Sequence, residues 1–167
     1  DVADVNAVKS AINHVLSVHQ RIDILVNNAA YNPVKARERV PIDRYSDDVF
    51  VRTIDVDIVG TYYFSKYASR QMIKQKSGCI INIASVAGVV PLRNQISHVV
   101  GKAGVVKITQ AMALELGHFG IRINAISPGS TITEATREIF YGSDASFSDK
   151  AKELISFIPA GRPGETD

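Results

Sequence analysis

The 167-residue sequence predicts an α/β fold built on a parallel sheet, and three observations carry that prediction. Short, continuous apolar runs recur at "IDILV", "CIINIA" and "IRINAI". Such runs suit strands buried on both faces, as in a parallel sheet. Long segments of helical periodicity separate them, which is the alternation of βα units. Small and polar residues gather where each run ends, at Asn27-Ala30, Ser85-Gly88 and Pro128-Thr133. In open parallel sheets ligands bind beyond the carboxyl ends of the strands, so these three clusters are expected to share one site.

The elements follow in order. Asp4 is placed to cap a helix over about residues 5–20, where Val8, Ala11, Ile12, Val15 and Val18 or His19 fall at helical spacing. The first strand covers Ile22 to Val26 and stops at Asn27-Asn28. Residues 31–44 are polar, contain proline and read as loop. Ser46 begins a long helical pattern that Ser77-Gly78 ends. The strand "CIINIAS" follows, then a loop with Gly88 and Pro91, then a helix from about Ser97 to His118. Gly120 marks its C-terminal turn. "IRINAISPG" is the third strand. Residues 130–158 mix Thr, Ser, Asp and Gly with two short helical stretches near 134–140 and 148–156, an excursion over the sheet's C-terminal edge.

Composition narrows the function. Hydrophobic content of 46% and charged content of 22% match a soluble globular chain with a real core. Net charge is +2 and no basic cluster stands out along the chain, so nucleic-acid and membrane-surface binding are not indicated. No run of about 20 apolar residues occurs, so no membrane span is expected. The single cysteine, Cys79, excludes a disulfide framework and reads as a buried core residue, which favours a cytoplasmic setting. His14, His19 and His118 read as surface or capping residues. No group of histidines, cysteines and carboxylates has metal-ligand spacing, so no metal site is expected. The cluster Tyr62-Tyr63-Phe64 with Tyr67 reads as helix packing or a subunit interface.

In chain order, "DILVNNAA", "GCIINIASVAG", a helix carrying "GKAG", and "GIRINAISPG" resemble the short-chain dehydrogenase/reductase family, and the match spans nearly the whole chain. The resemblance implies a Rossmann-type, doubly wound parallel sheet and oxidoreduction of alcohols and ketones with NAD or NADP. It implies that Asp1 and Val2 contact the adenine. Asn27, Asn28, Ala29 and Ala30 match the stretch lining the cofactor, with Ala30 in place of a glycine. Ser85 matches the catalytic serine and Lys102 the lysine that holds the ribose and tunes the proton donor. Pro128 and Gly129, with Thr131 and Thr133, match the segment that hydrogen-bonds the nicotinamide carboxamide. Residues 130–160 would form a substrate lid within a single domain spanning 1–167. The helices 47–75 and 97–118 would build a homodimer or homotetramer.

The chain departs from the family pattern at three places. His98 stands where the family carries its catalytic tyrosine, four residues before Lys102 and so on the same helix face. Gly101 replaces a common serine, and Asp57, in "DIVG", replaces the relay asparagine. Three readings of His98 stand open. It replaces tyrosine as the proton donor, it marks an impaired site that only binds cofactor or a partner, or it is a mutation in this chain, natural or engineered. An imidazolium beside Lys102 and an oxidised nicotinamide meets like charge, which Asp57 would oppose. A nucleic-acid-binding Rossmann module is a further reading, poorly supported by the near-neutral charge. No glycine-rich phosphate loop occurs in the sequence, so the chain is expected to be the middle of a longer domain, one that would expose an apolar sheet edge by itself.

Overall fold

The computed structural model describes residues 1–31, 39–134, 136–142 and 146–166. Parts of two sequence expectations, the loop over 31–44 and the lid over 130–160, fall on residues 32–38, 135 and 143–145 and so lie outside the described residues. The chain divides into two compact units, Asp1–Ser127 and Pro128–Asp167.

The first unit opens with helix α1, Val5–His19. Asp4 caps it, its carboxylate accepting from the Asn6 amide at 2.8 Å. Val8 and Ile12 are buried, but Val15 and Val18, at the same spacing, stay exposed. Strand β1 is Ile24–Asn27, two residues later than the apolar run begins. The reason is a long-range contact. The Gln75 side chain takes both the amide and the carbonyl of Ile22, each at 2.9 Å, so those groups never join the ladder.

The long helix expected from Ser46 is interrupted. Ser46 caps α2, Asp47–Ile54, and a π-helical turn, Asp55–Gly60, separates it from α3, Thr61–Gln75. A π-turn inserts a wider hydrogen-bonded loop into a helix and turns inward a side chain that an α-helix would direct elsewhere. Lys76, in left-handed conformation at φ 54°, ends α3. Strand β2 is Gly78–Ile83, helix α4 is Ile96–Leu116, and strand β3 is Ile121–Ile126. Gly120 sits between α4 and β3 at φ 77°, the left-handed turn that glycine adopts without strain.

The three strands form a parallel sheet in the order β1-β2-β3, with Ile24 opposite Cys79 and Cys79 opposite Arg122. Crossovers of one hand that advance across a sheet in one direction lay their helices on one face. Here Val8 and Ile12 of α1, Ala68 and Met72 of α3, and Ile80, Ile121 and Ile123 of the sheet form the core. The other face of the edge strands carries Ile24, Val26 and Ile126, all more than half exposed. The expectation of strands buried on both faces therefore holds for neither β1 nor β3. Cys79 falls on that same less-covered face. It is half-buried, not a core residue, and its sulfur accepts from Arg122 Nη2 at 3.5 Å. Tyr63, Phe64 and Tyr67 pack on the core, whereas Tyr62 is exposed. His14, His19 and His118 are exposed.

The second unit holds a two-residue parallel pair that the sequence pattern did not foretell, β4, Thr131–Ile132, with β5, Gly164–Glu165. Between them lie α5, Arg137–Phe140, and α6, Asp149–Ser156, the latter capped by Ser148. Ile132, Phe140 and Ala151 form a small core of their own. Among the described residues, no helix is long and apolar enough to cross a membrane.

Candidate active site

The carboxyl end of β2 brings the central residues together. Ser85 follows the strand in extended conformation and caps a short 3₁₀ turn, Val86–Gly88, its Oγ accepting from the Ala87 amide at 3.1 Å. Gly88 lies so close to α4 that an added Cβ would meet the Lys102 carbonyl oxygen at 2.6 Å. Only glycine allows that backbone approach, which presses the Ser85 turn onto the helix turn carrying Lys102.

Lys102 is buried. Its ammonium donates to the Ile83 carbonyl at 3.0 Å and lies 3.4 Å from Asp57 Oδ2. Asp57 is fully buried in the π-turn, and its other oxygen accepts from the Tyr31 amide at 2.8 Å. One carboxylate thus joins the loop after β1, the π-turn and α4. Asp57 Oδ2 has no hydrogen-bond partner among the described residues, so its contact with Lys102 is an ion pair without hydrogen-bond alignment. Two glycines make room for it. A Cβ on Gly101 would come within 3.2 Å of Thr53 Cγ2 and 3.3 Å of Asp57 Oδ2, and one on Gly104 would strike Ile58.

His98 sits one helical turn before Lys102 and is half-buried. Burial holds its pKa below the usual histidine value. Lys102 pushes in the same direction, Asp57 pulls against it, and Arg39 adds a smaller downward push. Its Nδ1 is buried without a hydrogen-bond partner among the described residues. Protonating both ring nitrogens would leave a buried N–H with no acceptor, which favours the neutral ring in the same sense. The preceding residue, Ser97, is fully buried, and its hydroxyl meets Tyr45 Oη at 2.6 Å, tying the start of α4 to the segment before α2.

A second group forms at the end of β1. Val2, Asn27 and Ala29 line a cavity of about 170 Å³ together with Val56, Gly60 and Phe64. Val2 packs so closely on Gly60 that a Cβ there would lie 2.7 Å from Val2 Cγ2. The Asn27 side chain turns inward, its Nδ2 donating to Asn82 Oδ1 at 2.7 Å and Ser65 Oγ at 3.0 Å. Asn82 in turn donates to Thr109 Oγ1 at 2.8 Å, so one buried polar chain links β1, β2 and α4. Asp1 is exposed and pairs with Arg52 at 2.7 Å. Pro128, Gly129, Thr131 and Thr133 belong to the second unit. There the Thr136 hydroxyl accepts from the Thr133 amide and donates to the Thr131 carbonyl, both at 2.8 Å.

Tyr31, Tyr45 and Ile83 escaped the sequence reading as site residues. Tyr31 and Ile83 act through backbone groups, which carry no side-chain signature, and the Tyr45–Ser97 contact spans 52 positions with no local pattern to announce it. Among the described residues, no three histidines, cysteines or carboxylates converge as a metal site would require.

Comparison with known proteins bears on the family and the fold. Residues 1–143 match the family model of the short chain dehydrogenases. The chain is 33% identical over 165 residues to a 3-oxoacyl-(acyl-carrier-protein) reductase of Staphylococcus aureus, covering 99% of this chain and 62% of that protein. It is 30% identical to an L-rhamnose 1-dehydrogenase (NAD(P)+) of Azotobacter vinelandii, covering 100% of this chain and 62% of that protein. The chain therefore spans about three fifths of the length of these curated relatives. Among solved structures, NAD+-bound xylitol dehydrogenase matches with a TM-score of 0.87 at 31% identity, over 99% of this chain and 65% of that one. A gluconate 5-dehydrogenase of Burkholderia cenocepacia, in complex with NADP and tartrate, matches at 0.86 and 28%, over 99% and 61%. The parallel α/β arrangement is thus a Rossmann-like fold.

Proposed function

The chain belongs to the short-chain dehydrogenase family, and on that premise we propose that it forms the central part of an NAD(P)-dependent oxidoreductase interconverting an alcohol and a ketone. The observation that carries the proposal is the buried Lys102, held by the Ile83 carbonyl and the Asp57 carboxylate beside the Ser85 turn. A buried cation costs much to maintain, and its place at strand ends beside a serine and a histidine is where this fold does chemistry.

The residues present fit a nicotinamide dinucleotide. The cavity lined by Val2, Ala29 and Gly60 is apolar enough for a flat ring, Asp1 stands next to it in sequence, and Lys102 spends one of its three N–H groups on Ile83, which leaves N–H for a ribose hydroxyl. When bound, the nicotinamide supplies or takes the hydride, which no side chain can do. Ser85 Oγ accepts from the Ala87 amide, so its own proton is free for a substrate oxygen. His98 stands in the proton-transfer position of the family, and Asp57 in the relay position. A neutral imidazole has a lone pair for the proton of an alcohol, but taking it forms the imidazolium that burial and Lys102 disfavour, and giving a proton requires that same cation.

A catalytically silent member that binds cofactor or a partner is the second reading, and the same neutral His98 favours it. The test is turnover by the whole protein in both directions, with NAD and NADP, for wild type and His98→Tyr. Alcohol oxidation by wild type that falls away only as the pH drops below about 6.5 supports the histidine base. An inert wild type with an active His98→Tyr establishes the silent reading. Cofactor binding without turnover in either form leaves a scaffold role alone.

A further inference from the structure

Helices α1 and α3 pack side by side, and neither contains an aspartate or glutamate. Their cations are Lys9 on α1 and Lys66, Arg70 and Lys74 on α3. Lys66, Arg70 and Lys74 recur every four residues, a stripe of positive charges about 6 Å apart along one helix face. Lys9, Arg70 and Lys74 line a groove between the two helices with a cavity of about 290 Å³, whose apolar lining is Ile12, Leu16 and Tyr67. Arg70 and Lys9 both stand over the Tyr67 ring, at 4.8 and 5.6 Å from its centre. All four cations are exposed, and among the described residues none has a carboxylate within ion-pair distance. Three of these residues share α3, whereas Lys9 lies more than fifty positions earlier in the sequence. Packing α1 on α3 assembles one basic cluster.

We propose that this groove docks an acidic amphipathic helix of a partner protein. Both walls present side chains at positions i, i+3, i+4 and i+7, the spacing that accepts a third helix. Gln71 Nε2 donates to the Gln20 carbonyl at 3.1 Å and fastens the two helices where α1 ends. An incoming helix with glutamates four residues apart matches the cation stripe in spacing and sign, and its apolar side meets Leu16 and Tyr67. The same face of a second copy is a poor occupant, because two faces without carboxylates would set cation against cation.

The probe is a fluorescein-labelled 15-residue helical peptide with glutamates at i, i+4 and i+8 and leucines on the adjoining face, titrated by anisotropy into the whole protein. Binding that weakens about tenfold or more in Arg70→Glu/Lys74→Glu, and on Glu→Gln substitution in the peptide, supports the site. The control Lys107→Glu/Lys150→Glu carries the same charge change elsewhere and should bind as wild type, and circular dichroism checks that both variants fold. Equal binding of a scrambled peptide, or equal loss in both double variants, overturns the proposal as non-specific attraction. No binding at millimolar protein overturns it outright. Tighter binding of single-stranded oligonucleotide or of phosphatidylglycerol vesicles with the same residue dependence replaces it. So does a change of oligomeric state in Arg70→Glu/Lys74→Glu.

Discussion

Lys102 Nζ lies 3.4 Å from Asp57 Oδ2, and the two side chains are 6% and 0% exposed. Two opposite charges taken so far out of water stabilise each other only as a pair, and either alone is costly. Asp57→Ala is therefore expected to destabilise the protein by about 3–5 kcal/mol, because it strands a buried ammonium and frees the Tyr31 amide. Asp57→Asn keeps an acceptor for Tyr31 and should cost less. Urea unfolding of the whole protein measures both, and equal stability of Asp57→Ala and wild type would contradict the account.

Gly88 touches the Lys102 carbonyl through backbone, which cannot swing aside as a flexible side chain can. Gly88→Ala should cost about 1–3 kcal/mol and lower turnover further by shifting the Ser85 turn. Gly104→Ala meets only the end of the Ile58 side chain, so its cost should be smaller despite a shorter contact. A thermal melt of the two variants together reads the order.

His98 adds a pH term to stability. Its pKa in the folded chain lies below the unfolded value, so below about pH 6.5 the unfolded chain binds a proton that the folded chain resists. The stability it allows is present in full above that pH and is lost as the pH falls towards the lowered folded value. Between about pH 7.5 and 5.5 wild type should lose more stability than His98→Gln, with denaturation midpoints at each pH as the measure. Parallel curves would remove His98 as the cause.

Asn82 is fully buried between Asn27 and Thr109. Asn82→Ala removes two hydrogen bonds in the interior and leaves a cavity, an expected cost of about 1–3 kcal/mol. Hydrogen exchange should show faster opening of β1 than of α1, since Asn27 would keep only Ser65 as a partner.

Much of the fold was legible because its signals are local. Apolar runs marked β1, β2 and β3, Asp4 and Ser46 marked helix starts, and Gly120 marked a turn, each through a few neighbouring residues. The start of β1 was misplaced because Gln75, more than fifty positions away, takes the backbone groups of Ile22. Cys79 was misread because its apolar neighbours in sequence alternate between the two faces of the sheet, and only one face is covered.

By itself the sequence determined the alternation of strands and helices, the strand ends where Ser85 and Asn27 lie, and the shared helix face of His98 and Lys102. These follow from periods of two and 3.6 residues, which the backbone enforces locally. Tertiary structure alone decided that Asp57 neutralises Lys102 and grips the Tyr31 amide. It also decided that burial lowers the His98 pKa and that Lys9 joins Arg70 and Lys74 around one groove. Those relations depend on which surfaces meet when distant segments pack, and on the burial that makes each charge depend on its neighbour.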